Sequence, residues 1–204
     1  LRNCEETGTL AAQMALTGGP RPTEVITPAA IRNAQRVLLA VSGSTNAVIH
    51  MAAVAGRIGM KLDLDDFNRL SDETPVLVDL KPVGAGYMED FHYAGGLEGV
   101  LREIAPQLET DTRSITGETL ADRLARPLAD PIDRSVIREA ATPISPVGGL
   151  IALRGSLAPE GAILKRAAAT EALLEHEGRA VVFTSLEDLA ARIDDPDLDV
   201  TAED

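Results

Sequence analysis

The sequence has 204 residues, of which 45% are hydrophobic and only 2% aromatic, and it carries a formal net charge of −13. That acidity, with no Lys/Arg cluster, excludes a phosphate-binding surface for nucleic acid and a basic patch for membranes. Cys4 is the single cysteine, so no intramolecular disulfide and no cysteine-based metal site is completed within this span.

The length allows one large domain or two small ones, and a mean hydropathy of +0.02 suits a chain that buries a core of Ala, Val, Leu and Ile. The chain begins at Leu1 and stops at Asp204 in an acidic run, ends expected of a piece cut from a longer protein. No apolar stretch reaches the ~18 residues of a transmembrane helix, and no signal peptide is recognisable. A cytoplasmic protein is the expectation.

Residues 4–17 read as a helix closed by Thr17-Gly18-Gly19-Pro20, since Gly followed by Pro is common stop chemistry. Thr27-Pro28 opens the next helix with a cap residue and Pro at the first helical position. Ile31, Ala34, Val37, Leu38 and Val41 mark its buried stripe. Ser42-Gly43-Ser44-Thr45-Asn46 interrupts that helix and starts another, which runs to about Ile58-Gly59 with Val48, Ala52, Ala55 and Ile58 at helical spacing. Asp63 caps a short helix, with Asp66 supporting its first turn.

Val76-Leu77-Val78-Asp79-Leu80 then predicts a short buried strand, followed by a loop through Gly86. Met88 to about Ile104 reads as one helix, weakened in its middle by Gly95-Gly96 at roughly 1 kcal/mol per Gly. From Pro106 the pattern turns proline-rich, with a turn at Ile115-Thr116-Gly117 and a helix near residues 118–125. Beyond Gly148 the elements are strand-like: residues 150–153, 162–164 and 180–183. Ser185 caps a final helix through Ile193, with Glu187 and Asp188 in its first turn. A boundary near residues 141–148 separates a helical α/β part from a β-rich one.

Two stretches carry candidate chemistry. In Ser42-Gly43-Ser44-Thr45-Asn46, hydroxyl and amide side chains sit beside free backbone N–H groups at a helix start, which suits an anion such as a substrate carboxylate. The same residues are also what a plain helix cap requires. In Met88-Glu89-Asp90-Phe91-His92, Glu89 and His92 share a helix face, where they could ligate a metal or exchange protons. Alternatively the acids stabilise a helix N-terminus and His92 is solvated.

The remaining polar residues point elsewhere. His50 is expected in the core or at an interface, and His176 in solvent. Cys4 lies beside Glu5 and Glu6, which oppose thiolate formation. Lys165 falls on a predicted strand as either a buried contact or a surface charge. Asp194-Asp195-Pro196-Asp197-Leu198-Asp199 lacks the Gly and terminal Glu of a calcium loop and reads as a solvated turn.

Eight segments, in order and across nearly the whole chain, resemble the family of dihydroxy-acid dehydratase, phosphogluconate dehydratase and the aldonic-acid dehydratases. They are Ser42-Gly-Ser-Thr-Asn-Ala-Val-Ile-His50, Leu62-Asp-Leu-Asp-Asp-Phe67, Asp79-Leu-Lys-Pro82, Tyr87-Met-Glu-Asp-Phe-His-Tyr-Ala-Gly-Gly96 and Ile115-Thr-Gly-Glu-Thr-Leu120, then Gly148-Gly149, Arg154-Gly-Ser-Leu-Ala-Pro159-Glu-Gly161 and Gly178-Arg-Ala-Val-Val-Phe183. The family commonly has Gly where this chain has Ser42.

The resemblance implies a hydro-lyase that removes water from a 2,3-dihydroxy acid to give a 2-keto acid through an enol. It implies an iron–sulfur cluster, [2Fe–2S] or [4Fe–4S], as Lewis acid, and Mg²⁺ at the carboxylate end. A serine alkoxide would take the C2 proton. The cluster cysteines, metal ligands and catalytic Ser of the family belong to segments outside this span, so no catalytic or metal-binding residue is assigned here. Ser44, Thr45 and Asn46 remain candidates for lining the substrate pocket, and Glu89 and His92 for supporting it from behind.

By the same resemblance the fold is α/β. Residues 1–145 would close an N-terminal α/β domain, and 146–204 would begin a C-terminal β-barrel-like domain. Met88–Tyr93 and residues 173–183 resemble the L-arabinonate-like, aldonic-acid branch. The alternatives are the dihydroxy-acid dehydratase of branched-chain amino-acid synthesis and a non-catalytic module of the same fold. A homo-oligomer, dimer or tetramer, is expected by resemblance.

Overall fold

The computed structural model describes residues 2–201. They form two compact units, one running to Ala168 and the other starting at Ala169.

The larger unit is mostly helical. Its helices are α1 (Arg2–Thr17), α2 (Pro22–Val25), α3 (Pro28–Ala40), α4 (Thr45–Arg57), α5 (Leu64–Glu73), α6 (Met88–Tyr93), α7 (Gly96–Glu103) and α8 (Leu120–Ala125). The caps read from sequence are in place. The Thr27 side chain accepts from the Ala30 N–H, Ser44 from Asn46, and Asp63 from Asp65 and Asp66. Each uses a short side-chain oxygen to satisfy N–H groups that the helix leaves unpaired.

The central element is α3, which is buried on two sides. Leu38 and Leu39 join Val48, Phe67, Leu70, Leu150 and Ala152 in one core cluster. Ala40 joins Leu77, Val78, Val100, Leu101, Ile104 and Ile137, among others, in a second. Asn33 and Gln35 are also buried, whereas Ala34, expected in the buried stripe, is exposed, so the buried faces of α3 include polar side chains that need partners. Asn33 meets this demand by pairing with the backbone of Glu109 in both directions, at 2.9 Å each way.

Two expected elements of this unit need correction. Val76–Leu80 is extended, with Val76, Leu77 and Val78 buried, but is not a strand of a sheet. Its residues make isolated bridges, Val76 with Ser145, Val78 with Ile137 and Leu80 with Gly86, while the Leu77 N–H donates to Ala40 at the end of α3. Backbone groups served by several different segments are satisfied without building a ladder. The single helix predicted over 88–104 is two, because Gly95 (φ 116°) and Gly96 (φ 53°) adopt left-handed conformations that end α6 and turn the chain into α7.

Strands β1 (Ile151–Gly155) and β2 (Ala158–Leu164) form one antiparallel hairpin, pairing Ile151 with Leu164 and Gly155 with Ala158, with an irregularity between Leu153 and Gly155. It packs on α5. Asn68 donates to the Ala152 carbonyl (2.9 Å) and accepts from its N–H (2.7 Å), and the Ser71 hydroxyl donates to Leu150 (2.6 Å). Helices and this small sheet make a mixed α/β unit.

In the smaller unit, Ser185 caps α9 (Leu186–Arg192) as predicted, accepting from Asp188. The strand predicted over residues 180–183 is absent: the segment is irregular, with Val182 exposed. An alternating apolar run becomes a strand only when a neighbour supplies the ladder, and no described segment pairs with it. The Arg192 guanidinium instead lies 4.8 Å from the Phe183 ring centre. Among the described residues of this unit none is fully buried.

Candidate functional site: the turn that opens α4

The chain leaves α3 at Ala40, reverses through Val41–Gly43 and enters α4 at Ser44. The reversal is tight. The Ser42 and Gly43 N–H groups donate back to Leu39 and Leu38, and Ser42 has φ 47°, the one non-glycine residue with positive φ among those described. That region is sterically costly for a residue with a Cβ. The Ser42 hydroxyl is buried and has no hydrogen-bond partner among the described residues.

Two elements distant in sequence hold this turn. The backbone at Gly149 lies so close to Ser42 that a Cβ there would overlap the serine side chain, and the Gly149 N–H donates to Leu39. Lys165, just past the end of β2, donates from Nζ to the carbonyls of Ser42 (2.5 Å) and Gly43 (3.0 Å). Burial pushes the Lys165 pKa down.

The sequence-predicted residues sit around this turn as follows. Ser44 caps α4 through its hydroxyl and is exposed, Thr45 is half-buried, and Asn46 is exposed. Their backbone N–H groups open the helix at the positive end of its dipole. Glu89 and His92 lie exposed on α6, and His92 packs edge-on against Tyr93 at 5.3 Å between ring centres. Among the described residues no hydrogen bond joins this pair to the turn. His50, expected in the core or at an interface, is exposed on α4, and His176 is exposed as anticipated.

Ser42 also forms part of the wall of a cavity of about 320 Å³ whose polar lining includes Asp79, Ser145 and Arg166. Asp79 accepts from the Ala85 N–H at 2.9 Å. Arg166 donates from Nε and Nη2 to the Gly148 carbonyl (3.1 and 2.9 Å) and from Nη2 to Ser71 (3.0 Å). A larger cleft of about 560 Å³ runs between α4 and the hairpin, with Val48, Ile49 and Leu62 as apolar wall and Lys61, Arg154, Asp65 and Glu160 among its charged groups.

Cys4 is exposed on α1, and among the described residues no group of three or more His, Cys, Asp or Glu is arranged to hold a metal ion. With Cys4 as the single cysteine, the described residues offer no complete cysteine ligand set for an iron–sulfur cluster. Sequence reasoning left the role of Lys165 open and did not single out Arg166. Nothing in the spacing of either residue reveals a partner more than a hundred positions away for Lys165, or about ninety away for Arg166.

Comparison with known proteins places the sequence in a family. The N-terminal domain of dihydroxy-acid/6-phosphogluconate dehydratase matches residues 1–123, and the C-terminal domain of the same family matches residues 135–204. An L-arabinonate dehydratase of Rhizobium leguminosarum bv. trifolii (strain WSM2304) is 44% identical over 184 residues, 88% of this chain and 31% of that protein. An L-arabonate dehydratase of Azospirillum brasilense is 44% identical over 198 residues, 96% of this chain and 33% of that protein. A dihydroxy-acid dehydratase of Dehalococcoides mccartyi (strain ATCC BAA-2266 / KCTC 15142 / 195) is 43% identical over 172 residues, 84% of this chain and 30% of that protein. The chain thus spans about a third of the length of the curated relatives it matches. With family domains covering both of its ends, this chain belongs to the dihydroxy-acid/6-phosphogluconate dehydratase family.

Proposed function

We propose that this chain is an internal part of a hydro-lyase that converts an aldonic acid to its 2-keto-3-deoxy acid. The observation that carries the reading is 44% identity, over nearly the whole chain, with two proteins named for L-arabinonate dehydration. On this reading residues 1–145 belong to an N-terminal α/β domain, and 146–204 begin a barrel-like C-terminal domain in which the β1–β2 hairpin finds further strands. The iron–sulfur cluster and Mg²⁺ supply the Lewis-acid chemistry and are held by residues outside this chain. The protein is cytoplasmic and forms a homo-oligomer, a dimer or tetramer.

The contribution of this chain is to bind and orient. Ser44, Thr45 and Asn46 line the substrate pocket, offering backbone N–H groups, hydroxyls and an amide to the carboxylate at the positive end of α4. Glu89 and His92 support the pocket from α6. Such positioning converts binding into rate by fixing the reacting carbon relative to the groups that act on it.

A second reading, dehydration of a branched-chain dihydroxy acid, is favoured by the 43% identity with a dihydroxy-acid dehydratase. An anaerobic keto-acid assay on the full-length protein separates the two by comparing kcat/KM for L-arabinonate, other aldonates and 2,3-dihydroxyisovalerate. The expected preference is for an aldonate. Preference for dihydroxyisovalerate moves the protein to the second reading, and activity on neither, with the cluster intact, defeats both.

A further inference from the structure

Lys165 is an unusual contact for a lysine. Its side chain is only partly exposed, and its ammonium is met by two successive backbone carbonyls, Ser42 and Gly43, not by a carboxylate. Those carbonyls belong to residues immediately before the cap of α4. They come from the part of the chain matched by the N-terminal family domain, whereas Lys165 lies in the part matched by the C-terminal one.

The turn it grips has reason to need holding. Ser42 sits at φ 47° with a buried hydroxyl that has no partner among the described residues, two features that disfavour this conformation unless the surroundings impose it. From one side, α3 binds the Ser42 and Gly43 N–H groups. From another, Gly149 closes on the Ser42 side chain. The Ser42 and Gly43 carbonyls accept from Lys165. With a neutral apolar side chain in its place, both would lose the one hydrogen-bond partner they have among the described residues, and the turn would be free to relax.

We propose that Lys165 is a positioning residue for substrate binding: from the end of β2 its ammonium clamps the Ser42 and Gly43 carbonyls and so keeps the Ser44–Asn46 turn in the shape that receives the substrate carboxylate. This rests on the reading above in which that turn lines the pocket. Lys165 itself touches no substrate. It sets where the α4 N–H groups point, so its loss weakens binding more than turnover.

The test uses the full-length, cluster-loaded enzyme with L-arabinonate, comparing wild type with Lys165→Met, Ser42→Gly, the double variant and Asn46→Ala. Steady-state KM and kcat are read together with the melting temperature, with and without L-arabinonate, so that binding is followed independently of activity. Lys165→Met is expected to raise KM by roughly 10-fold or more, with a smaller change in kcat and a reduced ligand-induced rise in melting temperature. Adding Ser42→Gly is expected to recover part of the lost affinity, because glycine adopts positive φ without strain. That recovery is what a general loss of stability would not produce in KM.

A folded Lys165→Met enzyme with wild-type KM overturns the proposal. If Asn46→Ala raises KM in the same experiment, the pocket assignment survives and only the role of Lys165 falls. If Asn46→Ala also leaves KM unchanged, the turn is no substrate contact and both fall. Should Lys165→Met not fold, Lys165→Gln takes its place under the same criteria, since its amide keeps a donor near the turn without the charge.

Discussion

Arginine–carboxylate pairs are the residue-level feature with the clearest consequence for stability. Arg32 makes a two-pronged contact with Glu109, at 2.5 and 2.8 Å, and holds its carboxyl below the usual carboxylate range. Glu73 is held low first by Arg36 and then by Arg69. Both carboxylates are ionised more readily in the folded chain than in the unfolded one. Their contribution is therefore present above the ordinary carboxylate pKa and is lost as pH falls through the depressed folded values. Glu109 is 39% exposed at its side chain, so solvent screening keeps the effect modest. Urea unfolding followed from neutral pH down through the carboxylate range should show a falling midpoint, and Glu109→Gln should flatten part of that fall. An unchanged slope in Glu109→Gln would show that this pair does not contribute. Residue identity alone gives the charges. Which arginine meets which glutamate, 77 positions apart for Arg32 and Glu109, is set by folding.

Among the elements, α5 joins local and distant structure most directly. Its start is local: Asp63 caps it, and the acids at 65 and 66 suit the positive end of the helix dipole. Its inner face is not local, since Phe67 and Leu70 pack beside Leu39 of α3 and Leu150 at the approach to β1. Phe67 has no exposed surface. Phe67→Ala should therefore cost about 3–5 kcal/mol of unfolding free energy, through lost transfer energy and the cavity left behind. Denaturant unfolding of the variant checks this, and a loss below about 1 kcal/mol would mean that the α3–α5–hairpin cluster closes over the gap. The same contrast explains which elements were legible. Helices announced by a cap, Thr27, Ser44, Asp63 and Ser185, lie where the sequence predicts because a cap acts within three residues of itself. The break between α6 and α7 was signalled by Gly95-Gly96, but whether two glycines weaken a helix or end it depends on what the next turn packs against. Gly99, Val100 and Leu101 are buried in the core that includes Ile137.

At the scale of the whole molecule, the division at Ala168 has a measurable consequence. The larger unit contains both core clusters, whereas the described residues from Ala169 onward include none that is fully buried. Local opening is cheapest where few apolar groups are packed, so limited proteolysis of the isolated chain should cut first within residues 169–201. Earliest cleavage within α3 or α5 would contradict this. The sequence by itself determined the capped helix starts at Thr27, Ser44, Asp63 and Ser185, and the family, because each is written in neighbouring residues or in motifs that keep their order. Only the tertiary structure decided that Val76–Val78 is buried without joining a sheet, that residues 180–183 form no strand, and that Lys165 grips the turn before α4. Each of these depends on which distant backbone groups remain to be satisfied once α3, α5 and the hairpin have packed. Hydrogen-bond partners far apart in sequence, 123 positions for Lys165 and Ser42, leave no periodic trace in the chain that carries them.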